Sequence, residues 1–325
     1  MDRGLAAAGA GRAAMIDVSL IICTRDRGAS LARTLASITH AVGQACRIEV
    51  VVVDNGSRDD TPARLASWSA QQAFPVILVD EPRAGLARAR NAGLACASGR
   101  IVAMTDDDCV LDPGYFAMLT ACFAHLPGPV VVGGRILLGD PADLPVTIKL
   151  EDHAMRADPD GFPGGFVMGA NLAFTRDVVD MVGAFDDRFG AGTPFLAAED
   201  TDLLVRALDR GIAVRYDPHF VVLHHHGRRT RAELRRLLAG YAFGDGALYA
   251  KHWRSRRSKR AFGIDVRAAA ADVRGNEQPG TLLRRFHLFR LRHLCRGFLS
   301  YLWHTRRAAG PRRAPAARSV VFDNA

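Results

Sequence analysis

RIVAMTDDDC, residues 100–109, is an apolar run that ends on three consecutive carboxylates. A strand with one wet face alternates apolar and polar residues, whereas this run is apolar nearly throughout, as a strand covered on both faces must be. Three earlier runs share that character: VSLIICT (18–24), IEVVVVD (48–54) and PVILVD (75–80). The segments between them have a helical period. Leu31, Leu35 and Ile38 fall on one helix face, and Thr61-Pro62 offers an N-cap followed by a proline at the first helical position. A third helix is predicted across 85–97 and a fourth after Asp112-Pro113. Strands alternating with crossover helices predict an α/β fold with a Rossmann-like, mostly parallel sheet flanked by helices. Asp106, Asp107 and Asp108 then stand at the carboxyl edge of that sheet, where such sheets bind ligands.

Working outward, the alternation weakens after residue 128 into VVVGGRI (130–136), GFVMGANLAFT (165–175) and VRYDPHFVVLHHH (214–226), read as mixed strands joined by long loops. The expected organisation is a disordered leader at 1–16, the α/β domain at 17–227, a helical basic region at 228–305 broken at Pro279-Gly280, and a disordered tail at 306–325. Arg12 interrupts the Ala/Gly-rich start, so no secretory signal is predicted. No run approaches the roughly 20 apolar residues of a membrane-spanning helix. Six cysteines, at 23, 46, 96, 109, 122 and 295, form no CxxC pair and predict reduced thiols in a cytoplasmic setting. The net charge of +9 gathers in the last hundred residues, in RRTRAELRR (228–236), WRSRRSKR (253–260) and RRFHLFRLRHLCR (284–296).

Two carboxylates two apart on a strand share a side, so Asp106 and Asp108 are expected to point together and Asp107 away. Such a pair can hold Mg²⁺ or Mn²⁺, which bridges phosphate oxygens; the plainer reading is a solvated acidic turn. Glu199-Asp200, expected just before a helix ending at Gly211, are either ordinary helix-dipole partners or a general base brought close by the small-residue loop GAGTPFLAAED. In His224-His225-His226, alternation points His224 and His226 to one side, as metal ligands or as a polar strand end. Neither GxGxxG, GxxxxGK[ST] nor HExxH occurs, which removes dinucleotide, P-loop and zinc-protease readings.

The ordered set SLIICTRDR (19–27), VVVDNGSRDDT (51–61), GLARARNAG (85–93), MTDDDC (104–109), GANLAF (169–174), VGAFDDRFG (182–190), Glu199-Asp200 and VVLHHH resembles the family 2 glycosyltransferases of the GT-A fold. The resemblance implies an inverting transfer of a sugar from a nucleoside-diphosphate donor, UDP-linked by expectation, to a saccharide or lipid-linked saccharide in cell-surface polysaccharide or glycolipid synthesis. It implies that Thr24, Asp54, Arg90, Asp107 and Glu199 serve the nucleotide sugar, that Asp106, Asp108 and His224 serve a divalent metal and the diphosphate, and that Asp200 is the base. The family often has two acids after the second strand; here Asn55 replaces the second. A nucleotidyltransferase normally carries a glycine-rich, Lys/Arg-bearing N-terminal loop that SLIICTRDR lacks, and a non-catalytic sugar-nucleotide binder has no need of the intact carboxylates. The basic, aromatic-bearing segments 231–253 and 282–303 predict either a helical tail on an anionic membrane, at the inner face, or packing on the α/β domain. No nucleic-acid-binding module accompanies the charge.

Overall fold

The structure, a computed structural model, describes residues 15–43, 46–275 and 283–308. The four apolar runs form β1 (Val18–Thr24), β2 (Ile48–Asp54), β3 (Val76–Asp80) and β4 (Ile101–Asp106). They are joined by α1 (Gly28–Ala41), α2 (Thr61–Ser69) and α3 (Leu86–Cys96). All pairings among these strands are parallel, in the order β3-β2-β1-β4. β1, β2 and β4 are buried along almost their whole length, as their unalternating composition requires.

β5 (Cys109–Leu111) and α4 (Tyr115–Ala124) follow the acidic cluster, then come β6 (Val130–Leu138), β7 (Met155–Arg156), β8 (Asn171–Thr175), α5 (Asp177–Val182), α6 (Glu199–Asp209) and β9 (Ala213–His224). These complete one sheet in the order β3-β2-β1-β4-β8-β6-β9-β5, with β7 on β9. The second half is mixed: β8 runs antiparallel to both β4 and β6, and β6 is parallel to β9. The β6–β9 register slips between Gly134 and Arg135, opposite the Asp217–Val221 stretch that contains Pro218. Proline cannot donate to the ladder, which accounts for the irregularity there. The core lies in two layers, one on each face of the sheet.

Several expectations shift in detail. The N-cap of α2 is Asp60, and Thr61 is its first residue; Thr61 is drawn inside because its N–H donates to Asp59 Oδ1 while its hydroxyl accepts from the Arg27 N–H. Residues 165–170 are irregular, and only 171–175 of that run form a strand. Glu199 and Asp200 occupy the first turn of α6 rather than preceding it.

The basic region folds as α7 (Arg231–Lys251), α8 (Arg256–Val273) and α9 (Phe286–Ala308). α7 opens with a capping box, Thr230 accepting from the Glu233 N–H and Glu233 from the Thr230 N–H. α9 extends three residues past the expected limit at 305, while 1–14, Pro279-Gly280 and 309–325 lie outside the described residues. This region is not a detached tail. Phe189, Phe195 and Ala198 of the α/β domain pack with Ala247 and Leu248 of α7, and Tyr301 of α9 joins them. Buried Asp202 on α6 receives Lys251 Nζ at 2.6 Å and His252 Nε2 at 2.9 Å. Packing on the domain is thus realised by α7 and α9, while α9 keeps an exposed outer side at Leu299 and Trp303.

Candidate functional site

β4 ends at Asp106 and the chain turns at Asp107 and Asp108, so strand alternation does not set their directions. β5 does, by pairing antiparallel with β9 so that Cys109 faces His224, while the His225 N–H donates to the Asp108 carbonyl. This places His224 Nε2 3.2 Å from Asp108 Oδ1, a buried oxygen with no aligned hydrogen-bond partner among the described residues. His224 Nδ1 meets the Thr147 carbonyl at 3.1 Å. Donation there leaves Nε2 as the coordinating nitrogen, the arrangement that orients a metal-binding imidazole.

The charges around this pair are mutually adjusted. Burial would raise the Asp108 carboxyl, but the adjacent His224 ring and the charges of Arg27 and Arg228 hold it below the usual range. Burial would lower His224, and Asp108 outweighs it and raises the imidazole. Asp106 is raised, by burial first, against the lowering charge of Arg90. Asp107 turns elsewhere: its Oδ2 accepts from the Thr24 hydroxyl at 2.7 Å, and burial pushes its carboxyl up to about 6.

Arg90, only 3% exposed, bridges two elements from α3, with Nη1 2.8 Å from Glu199 Oε1 and Nη2 3.5 Å from Asp106 Oδ1. Gly169 makes room for it, since a Cβ there would overlap the guanidinium. Burial raises the Glu199 carboxyl to about 7 despite the opposing charge of Arg90. Asp200 accepts from the Gly169 N–H at 2.9 Å and from the Thr201 N–H at 2.6 Å, which fixes its orientation. Ala198, just before this pair, sits in the left-handed region at φ 73°, a strained conformation for a residue with a Cβ.

Arg90, Asp106, Glu199, Asp200 and His224 line one cavity of ≈ 970 Å³. Thr24, Asp54, Asp107 and Asp108 are not in its wall. Asp54 ends β2 beside Thr24 and accepts from the Ser57 N–H, the Asx-type turn that a purely structural role would give it. Asn55 has a reason to replace an acid: its amide donates to the Glu81 and Arg83 carbonyls while its oxygen accepts from the Gly85 N–H, and a carboxylate cannot donate. His226 is fully engaged, Nδ1 accepting from the Arg228 N–H and Nε2 meeting the Leu144 carbonyl. Burial lowers its pKa, so it remains neutral.

The remaining cavity wall comes from residues that the sequence reading did not single out. Arg228, Arg236, Tyr241 and Asp245 reach it on or just before α7, and His287 and Arg290 reach it on α9. The one sequence cue was the Thr-x-x-Glu capping box at 230–233, which fixes where α7 begins and therefore which of its residues face the cavity.

As a cation site, the Asp108 carboxylate, Cys109 thiol and His224 ring lie within 4.8 Å of one another. Burial holds the Cys109 pKa well above the ordinary thiol value, so it is no thiolate ligand. Of the three expected ligands, Asp108 and His224 fall in this cluster and Asp106 does not; a carboxylate oxygen with one imidazole nitrogen suits a hard divalent cation, and the buried Asp108 Oδ1 fits that use.

Residues 19–182, half of the chain, match the sequence model of glycosyl transferase family 2. A glucosyl-dolichyl phosphate glucuronosyltransferase of Haloferax volcanii is 26% identical over 217 residues, 64% of this chain and 68% of that protein. A pre-mycofactocin glycosyltransferase of Mycobacterium tuberculosis is 27% identical over 238 residues, 71% of this chain and 46% of its own length, so this chain spans less than half of that relative. Among solved structures, the mannosyltransferase PcManGT from Pyrobaculum calidifontis, in complex with GDP-Man and Mn²⁺, superimposes with a TM-score of 0.62 at 19% identity, covering 90% of this chain and 88% of that one. GalNAc-T7 with UDP, GalNAc and Mn²⁺ gives 0.56 at 16% identity, covering 91% and 57%. The fold is therefore of the GT-A type. On the match of its sequence, the chain belongs to the family 2 glycosyltransferases.

Proposed function

We propose that this chain transfers a sugar, with inversion, from a UDP-linked donor to the hydroxyl of a saccharide or lipid-linked saccharide. The observation that carries the reading is the convergence of Asp106, Asp200 and His224, from β4, α6 and β9, on one cavity. Asp106, Asp108 and His224 would hold Mn²⁺ or Mg²⁺, which when bound neutralises charge on the departing diphosphate. Asp200 takes the proton of the acceptor hydroxyl; the freed oxygen forms the bond to the anomeric carbon as the bond to phosphate breaks, and the electron pair leaves with the nucleoside diphosphate. Arg90 keeps Asp106 and Glu199 in place, and Thr24 steadies Asp107 behind them. Asp54 meets the ribose from its strand end, outside the cavity wall. In this organisation, 17–227 is the catalytic domain and 228–305 completes its cavity.

The test is release of nucleoside diphosphate from a panel of nucleotide sugars, with Mn²⁺ or with EDTA. Turnover with Mn²⁺ that EDTA abolishes is expected; a protein that turns over none of the panel is not this enzyme.

A peripheral place on the inner face of an anionic membrane, consistent with work on cell-surface glycans, is supported by α9. This helix has no acidic residue, and it exposes Leu299 (65%) and Trp303 (51%) beside Arg292, Arg296, Arg306 and Arg307. Apolar and basic groups on one outer face suit a headgroup layer. Among the described residues, no helix is long and apolar enough to cross a membrane. Sedimentation with phosphatidylserine vesicles tests this, and Leu299→Glu with Trp303→Glu is the informative variant, because deleting 228–325 would remove the cavity wall. Equal partitioning of variant and parent excludes the membrane reading.

A further inference from the structure

We propose that the face shared by α7 and α9 is the acceptor subsite and that it takes a saccharide, with Tyr241 carrying the ring and Asp245, Arg290 and His287 reading its hydroxyls. The proposal rests on the transferase reading above and names residues beyond the segment that matches the family.

Position is the first argument. Tyr241, Asp245, His287 and Arg290 line the same cavity as Asp106 and Asp200, so a molecule resting on α7 shares that cavity with the base. Tyr241 is 40% exposed, so part of its ring is free to meet a ligand in that cavity.

Chemistry is the second. Arg290 is fixed between two carboxylates, with Nη2 2.9 Å from Asp245 Oδ2 and Nε 2.9 Å from Asp265 Oδ1, and Tyr249 Oη donates to Asp265 Oδ2 at 3.0 Å. A charged triad beside a cavity is a poor source of stability compared with apolar packing. It does present rigid planar donors and acceptors, the form that matches neighbouring hydroxyls on a sugar ring. His287 Nε2 is buried with no hydrogen-bond partner among the described residues. The aromatic side chains of Phe162, Tyr241 and Phe286 line the same cavity. Convergent polar groups with aromatic faces are what a polyhydroxylated ring requires.

Space is the third. Gly240 lines the cavity, and a Cβ there would meet nothing within 4 Å. The space at that Cβ is therefore open, and a large side chain at 240 would project from the cavity wall.

The experiment uses the full chain, with the donor found in the nucleotide-sugar panel. Stimulation of diphosphate release by a set of p-nitrophenyl glycosides is measured for the parent and for Tyr241→Ala, Asp245→Asn and Gly240→Phe. Calorimetry of UDP with Mn²⁺ follows on the same proteins. At least one glycoside is expected to stimulate the parent; each variant should raise its KM roughly tenfold or more while the UDP Kd stays at the parent value. Gly240→Phe guards against a folding artefact, because it changes no charge or hydrogen bond. Variants stimulated like the parent overturn the proposal, as does a parent that turns over donor but responds to no glycoside. A parent that neither binds UDP nor releases diphosphate overturns the transferase reading, and this subsite with it.

Discussion

At the scale of single residues, the site separates holding a diphosphate from moving a proton. Asp200→Asn keeps the shape and the hydrogen bond from the Gly169 N–H while removing the basicity. Transfer is expected to fall by about 10²–10⁴, with UDP·Mn²⁺ affinity unchanged by calorimetry; transfer at the parent rate would remove Asp200 from the mechanism. Asp108→Asn should do the reverse, weakening Mn²⁺-dependent UDP binding by about 10–100-fold or more. Gly169→Ala tests the pedestal under both. Its Cβ would overlap a guanidinium that is pinned by Glu199 and Asp106. A loss of about 1–3 kcal/mol in urea unfolding is expected, together with weaker donor binding.

At the scale of elements, the decisive contact is the crossing of α7 and α9. Gly246 lies against the Leu294 backbone and Gly297 against the Phe243 carbonyl, so each helix supplies a glycine where the other's main chain passes. Small residues at a crossing let two helices approach more closely than side chains allow. Gly246→Val should force the pair apart, lowering Tm and raising the glycoside KM together. A variant that loses neither would show that the crossing does not shape the cavity. The arrangement also explains why arginines in these segments mislead when read alone. Arg257 pairs with Asp209, and Arg290 with Asp245 and Asp265, so part of the basic charge is internal wiring.

At the scale of the whole molecule, one buried carboxylate ties the C-terminal helices to α6, whose first turn carries Asp200. Burial alone would raise Asp202, but hydrogen bonding to His252 and the charges of Lys251 and Arg206 bring it down to about 2. The folded pKa lies below the ordinary 3.8, so its stabilisation is complete above 3.8 and is lost as pH falls towards about 2. Urea unfolding between pH 5 and pH 2, roughly the window of that loss, should show a decline that Asp202→Asn lacks. An identical acid profile in the two proteins would mean that the cluster does not couple the helices to the domain.

The sequence by itself determined the parallel half of the fold. β1, β2, β3 and β4 fall within a residue of the apolar runs that predict them, because a strand covered on both faces leaves an unbroken apolar record. It also marked Asp106, Asp200 and His224 as chemistry-bearing, through strand ends and a small-residue loop. Only the tertiary structure decided which of them meet. That Asp108 faces His224 follows from the β5–β9 register, a pairing of residues more than a hundred positions apart that leaves no local period. Alternation already turned Asp107 away from Asp106, but its partner there, the Thr24 hydroxyl at the end of β1, is set by the β1–β4 pairing. The role of 228–308 was least legible, since an amphipathic basic helix reads the same whether its apolar stripe covers lipid or a domain. Its partners, Phe189, Phe195 and Asp202, lie in segments whose own sequence gives no sign of them.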